Sequence, residues 1–201
     1  MDDSMRSRRV FLKVFACAFA ATSFLALPVT AKSAFAAAPQ GQKILIVYYS
    51  KTNNTRTMAH QIQSVVGGDM IELKTVRQYP EEHNATVKIA VQENKSNARP
   101  ELTTIFPENM NDYDIIFAGY PVWEYTMPMA FFTFFDQYKF AGKTIIPFST
   151  HLGSRLGGGP RDIAKLCPQA KILEGLAVRG PKVADSQNDI AQWLKNLNVV
   201  S

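Results

Sequence analysis

An α/β domain built on a five-stranded parallel sheet is what this sequence predicts, and three observations lead there. Short apolar segments rich in Ile, Val, Tyr and Phe recur along the chain. They are apolar throughout rather than alternating, as strands covered on both faces are. Segments of helical periodicity separate them, the pattern of βα units around one sheet.

The elements follow in order. Lys43–Tyr49 is a continuous apolar run and reads as a buried strand. Thr55–Val66 places Met58, Ile62 and Val65 at helical spacing, and Gly67-Gly68 ends it. Asp69–Lys74 alternates loosely, as an edge strand does. The segment from Thr75 to Asn111 exceeds a normal connection and contains one helical stretch, Glu82–Glu93. Asp114–Gly119, Thr144–Phe148 and Lys171–Val178 supply three further strands. Pro128–Gln137 and Gly159–Leu166 read as the helices between them, and Ile190, Trp193, Leu194 and Leu197 form a closing amphipathic stripe.

Residues 1–38 differ in kind. They begin with Ser7-Arg8-Arg9-Val10-Phe11-Leu12-Lys13, continue with an apolar stretch from Val14 to Leu27, and end in small residues after Pro28. A basic start, a short apolar region and an Ala34-Phe35-Ala36 cleavage site make a secretory signal. The paired arginines followed by Phe-Leu-Lys resemble the bacterial twin-arginine export signal. That resemblance implies passage through the twin-arginine translocase, a destination in the periplasm or on the extracytoplasmic face, and a chain folded before it crosses. A cofactor inserted in the cytoplasm is a common reason for that order. The remaining domain, residues 40–201, is expected to have no stable membrane insertion.

The cysteines and the charge exclude other classes. Of the two cysteines, Cys17 lies in the presumed signal, so Cys167 is alone in the mature domain and no internal disulfide forms. Residues 1–38 hold five of the 22 basic and two of the 17 acidic residues, which leaves 17 against 15, about +2. No basic stretch is interleaved with aromatics, so nucleic acid is not an expected partner. His60, His83 and His151 are scattered without a carboxylate or cysteine at ligand spacing, so no metal site is expected.

Ligands of open α/β sheets bind at the carboxyl ends of the strands, and three such ends carry unusual loops here. The first is Ser50-Lys51-Thr52-Asn53-Asn54-Thr55, between the first strand and the first helix. A helix N-terminus with hydroxyls and amides around it suits a phosphate. Neither GxxxxGK[ST] nor GxGxxG is present, and an abundant helix cap reads equally well from these residues alone. The second loop is Tyr120-Pro121-Val122-Trp123-Glu124-Tyr125-Thr126-Met127-Pro128. Its two prolines stiffen it while Trp123 or Tyr125 offers a flat face to a planar ring, or Trp123 packs as ordinary core. The third, Ser149-Thr150-His151-Leu152-Gly153-Ser154-Arg155 and the glycines after it, either brings backbone N–H groups close to a ligand or simply connects a strand to a helix.

Together these loops offer a phosphate seat, an aromatic surface and backbone donors, and at this point the chain resembles the flavodoxins. The resemblance covers residues 42–198 and is carried by YYSKTNNT, GYPVW…TMP, the third loop and the FDQYKFAGKT approach to the fourth strand. It implies a flavodoxin-like three-layer sandwich with strand order 2-1-3-4-5 and one non-covalent FMN. It places Ser50, Thr52, Asn54 and Thr55 on the phosphate loop, with Lys51 and Asn53 among them. Pro121, Val122 and Trp123, with Tyr125, flank the ring on one side, and Thr150, His151 and Gly153, with Ser149 and Arg155, on the other. Three departures stand out. Glu124 and Tyr125 occupy positions where related sequences carry a second aromatic and a glycine; Leu152 and Arg155 interrupt a usually glycine-rich loop; and the domain lacks the acidity of familiar electron-shuttling members.

The expected function is FMN-dependent electron transfer with a redox partner protein or a small-molecule acceptor. An FMN-dependent NAD(P)H:quinone-type reductase and a cofactor-free interaction module on the same fold are the alternatives. Cations near the N1 edge favour the reduced, anionic flavin, so Arg155 or His151 in the third loop is expected to raise the potential.

Overall fold

The computed structural model describes residues 41–199; the presumed export signal lies outside them. The chain alternates strand and helix: β1 (Ile44–Tyr48), α1 (Asn54–Val66), β2 (Asp69–Glu72), α2 (His83–Lys95), β3 (Ile115–Pro121), α3 (Met129–Gln137), β4 (Thr144–His151), α4 (Gly159–Leu166), β5 (Lys171–Ile172), β6 (Leu176–Arg179) and α5 (Gln187–Asn196). All strand pairs are parallel and the order is β2-β1-β3-β4-β5, with β6 also paired to β4. The flavodoxin-like order 2-1-3-4-5 is therefore present.

Alternate residues of each central strand feed opposite layers, which is why the strands read as apolar on both faces. Ile44, Ile46, Phe117 and Phe148 pack against Met58 and Ile62 of α1 and Ile190 and Leu194 of α5. Leu45, Val47, Ile116 and Ile145 pack on the other side against Phe131, Phe134 and Phe135 of α3 and Ile163 of α4. Among the described residues no helix is long and apolar enough to cross a membrane.

Two boundaries differ from the sequence expectation. β3 and β4 run on past Gly119 and Phe148, because Tyr120 pairs with Ser149 and Pro121 with Thr150. Ser149, Thr150 and His151 thus stand on a strand and not in a loop. α2 begins one residue late because Glu82 is its N-cap, its carboxylate accepting from the Asn84 and Ala85 N–H groups at 2.7 and 2.5 Å.

The expected strand Lys171–Val178 is broken in two, and Pro147 accounts for the break. The Leu173 N–H donates to Ile145 O at 3.0 Å, so β4 presents its odd-numbered residues to the fifth position. Pro147, the next of these, has no N–H to offer. Ile145 pairs with Ile172 and Phe148 with Leu176, so the edge spends one extra residue crossing that gap. Gly175 makes the crossing possible, since a Cβ there would lie 2.5 Å from Pro147 O. Gly175→Ala is expected to destabilise the domain by about 1–3 kcal/mol. Urea unfolding followed by far-UV circular dichroism checks this, and an unchanged midpoint refutes the crowding argument.

Candidate functional site

The carboxyl ends of β1, β3 and β4 converge on one cavity of about 550 Å³, within the range of about 300–1,000 Å³ usual for ligand pockets. Lys51, Thr52 and Asn54 line it from the first loop, Pro121, Val122, Trp123 and Glu124 from the second, and Thr150 to Ser154 from the third.

None of the polar residues of the first loop caps α1. Asn53 takes a left-handed backbone (φ 64°) without a side-chain cap bond, and its amide oxygen instead accepts from Arg56, which also pairs with Glu72. Among the described residues no side chain accepts from the first-turn N–H groups of α1, so the helix end keeps its unspent donors. Ser50 Oγ beside it is buried without a partner, and Thr52 Oγ1 receives only a long contact from Asn54 Nδ2 at 3.4 Å. Lys51 is committed elsewhere: its ammonium donates to Pro80 O and Glu81 O. Thr55 is fully buried and bonds Thr150 Oγ1 at 2.8 Å, so it supports the cavity from beneath without lining it.

The second loop is a tight turn. Trp123 and Thr126 exchange both backbone bonds (2.8 and 2.9 Å), with Glu124 at φ 45° and Tyr125 at φ 63° between them. Positive φ at both central residues is the geometry that usually selects Asn-Gly. Tyr125 is 79% exposed and stays off the cavity. Trp123 does both things the sequence allowed. It packs edge-on against Tyr49 and Tyr79, at centroid separations of 5.3 and 5.0 Å, and it lines the cavity.

At the third loop, Ser149 is buried, and its hydroxyl donates to Arg155 O at 2.8 Å. His151 lines the cavity with Nδ1 buried and unpartnered. Burial, then the Arg179 and Arg155 guanidiniums, hold its pKa below the ordinary 6.5, which biases the imidazole toward its neutral form. Arg155 does not line the main cavity; with Arg179 and Lys182 it lines an adjoining groove that shares His151 and Gly153. Of the two cations expected beside the ring, one is thus biased neutral and the other stands to the side.

Sequence reasoning missed the fourth wall. His83, Thr86, Val87 and Ala90 of α2 line the cavity, with Glu81 just before the helix. Their spacing (i, i+3, i+4, i+7) is one helical face and was legible as such. Nothing in the sequence said which surface it covers. Cys167 is buried away from the cavity, its thiol pushed up to about 12 by burial and by Asp136. Among the described residues no three His, Cys, Asp or Glu side chains gather at metal-binding spacing.

A family model described as Flavodoxin matches residues 43–197. Among solved structures, a candidate flavoprotein from Bacteroides eggerthii DSM 20697 is 28% identical with a TM-score of 0.66, covering 78% of this chain and 98% of that one. Another from Bacteroides uniformis ATCC 8492 is 26% identical, TM-score 0.66, covering 78% and 99%. A flavoprotein in complex with FMN from Lactobacillus acidophilus NCFM, 24% identical with a TM-score of 0.58 over 73% and 99%, shares the fold. No curated protein matches by sequence.

The His151 environment gives a direct expectation. Its imidazole resonances should titrate below the ordinary value of 6.5. In Arg155→Gln the midpoint should move up, because one of the two facing cations is gone while burial remains. The neutral imidazole favours folding above the unfolded value, and that contribution is lost as pH falls through the folded one. Proton NMR titration decides; an unmoved midpoint in the variant removes Arg155 as a cause.

Proposed function

The chain belongs to the flavodoxin family, and from that premise and the cavity's geometry we propose that it binds one FMN and transfers electrons, after export in folded form. One observation carries the cofactor reading. The first turn of α1, left without side-chain acceptors, and His151 Nδ1, buried without a partner, border a single cavity, and Ser50 Oγ, also buried without a partner, precedes the first lining residue of that loop, Lys51. Buried polar groups are nearly always paired, so such a set calls for a ligand.

The donor set fits FMN. Ser50, Thr52, the Asn54 amide and the helix end take the phosphate without a lysine clamp, since Lys51 is tied to the carbonyls ahead of α2. His151, neutral, accepts a hydrogen bond at Nδ1 from a ligand hydroxyl or ring N–H. Pro121, Val122, Trp123 and Gly153 line the cavity and would border the flat ring. FMN supplies the redox chemistry when bound; the protein supplies position, dryness and charge. A second reading is the quinone-type reductase, for which Val87 and Ala90 on the α2 wall offer apolar surface within the cavity. The cofactor-free alternative leaves Ser50 and His151 without any purpose for their burial.

Folded export rests on Ser7–Lys13 and on the cofactor itself, which is loaded before translocation. With Arg8→Lys and Arg9→Lys together, the protein should stay in the cytoplasm at precursor length, as fractionation and N-terminal sequencing report. A processed, exported double variant removes the twin-arginine route.

Purified from its host, the protein should be yellow and should bleach reversibly under anaerobic reductive titration. Ser50→Ala with Thr52→Ala should weaken FMN binding by about 100-fold or more, because each bond to a charged group contributes about 1.5–3 kcal/mol. The same change should leave the apoprotein's unfolding midpoint unchanged or slightly raised, since Ser50 Oγ satisfies nothing within the protein. Full flavin affinity in the double variant, measured by fluorescence titration, would falsify the phosphate assignment.

A further inference from the structure

Beside the cavity, and sharing His151 and Gly153 with it, runs an open groove of about 740 Å³. Arg155 enters it from the third loop, Arg179 from the end of β6, and Lys182 from the helical turn Gly180–Asp185 that follows. Among the described residues none of these three cations forms an ion pair. Arg179 spends one N–H on Leu152 O at 3.0 Å, and the other two side chains make no hydrogen bond among those residues. Like charges held together repel one another, so a fold that pairs none of them presents them to an anion from outside.

Asp185 and Asp189 complete the groove on the side of α5. Neither acts on His151, whereas Arg179 and Arg155 both do. The cationic end of the groove is therefore the end next to the cavity. The carboxylates of the cavity mouth, Glu81 and Glu124, stand instead ahead of α2 and on the second loop. Between these two flanks the loops carry apolar tips. Tyr125 of the second loop is 79% exposed and Leu152 of the third is 74% exposed. Apolar tips within a charged rim compose a protein–protein interface, and a small acid would leave those tips in water.

Resting on the electron-transfer reading above, we infer that the flank formed by Arg155, Arg179 and Lys182 is the docking surface for an acidic donor or acceptor protein. Its carboxylates meet the three cations, and its apolar surface covers Leu152. One electron crosses the contact from the reduced partner to the oxidised one, and no bond forms or breaks. The sign of the charge sets the specificity. A basic partner is repelled from this flank, and Glu81 and Glu124 turn an acidic one away from α2, so the partner is oriented as well as attracted.

Two haem proteins of opposite charge serve as probes, the acidic soluble domain of cytochrome b5 and the basic cytochrome c. Each is mixed with the reduced, FMN-loaded mature protein in a stopped-flow instrument. The rate with cytochrome b5 should fall as salt rises, and the rate with cytochrome c should not. Arg155→Gln with Lys182→Gln should slow the first about tenfold at low salt and leave the second equal or faster. FMN affinity should stay within about threefold, because neither side chain lines the main cavity. On adding oxidised cytochrome b5, the amide NMR signals of Leu152, Arg155, Arg179 and Lys182 should shift in the parent and not in the double variant. Rates that fall alike for both cytochromes, or amide shifts confined to α2, overturn the docking surface. The same shifts produced by free citrate at equal concentration give the groove to a small acid and overturn the protein partner. If the parent holds no FMN, the cofactor reading falls by itself, and the amide shifts measured on that protein still decide the docking surface.

Discussion

A single buried contact sets the geometry on which the site depends, the 2.8 Å hydrogen bond between Thr55 Oγ1 and Thr150 Oγ1. It joins the first turn of α1 to the end of β4, two points 95 residues apart in sequence. Its net contribution to stability is modest, about 0.5–1.5 kcal/mol, but its position matters more than its strength. The donors of the helix end and the third loop are presented to the same space only if these two points stay fixed. The extended ladder holds the same corner from the other side, with Val122 N–H donating to Thr150 O at 3.0 Å. First, second and third loops thus meet at Thr150.

The distribution of spent and unspent polar atoms then separates what builds the cavity from what it is for. Lys51 stands among the residues of the first loop, and its ammonium is used as a strut to the segment ahead of α2. A mobile ammonium held this way serves the wall, and the anion seat is left to fixed hydroxyls and backbone N–H groups. Such a seat has little reorganisation to undergo when a charge arrives, an advantage shared by helix-terminus anion sites generally. The same accounting shows that Thr86 and Glu82 spend their polar atoms on the start of α2 itself, whereas His83 lines the cavity.

Much of this was legible in the residues. The apolar runs fixed the sheet, and the three loops were recognisable as loops with unusual composition. The break in the edge strand was not foreseen, since Lys171–Val178 reads as one strand, although two residues carried a signal for it. Pro147 inside a strand that must be central announces a missing donor, and Gly175 sits where the facing chain has to approach. Other features were out of reach. Whether Trp123 packs or lines a ligand space depends on Tyr49 and Tyr79, which arrive from distant elements. The reach of β3 and β4 past Gly119 and Phe148 depends on cross-strand partners, not on local propensity, and it moved Thr150 and His151 from a flexible setting to a rigid one. That Arg155 faces a neighbouring groove follows from its left-handed backbone (φ 54°), which no local pattern announces.

The second loop shows how the site's rigidity is maintained against local cost. Glu124 and Tyr125 both adopt left-handed backbones where glycine would be unstrained, at about 1–2 kcal/mol each. Such a turn persists only where its surroundings over-determine it. Here the third loop does so. Tyr125 O accepts the Gly158 N–H at 2.6 Å, Thr126 Oγ1 donates to Asp162 of α4 at 2.6 Å, and Tyr120 OH reaches Leu156 O at 3.0 Å. Gly157 must lack a side chain for this docking, because a Cβ would lie 2.5 Å from Tyr125 O. The strained turn and the third loop are therefore one mechanical unit. A ligand that orders the third loop also stabilises the turn that positions Trp123, so the two borders of the cavity form together.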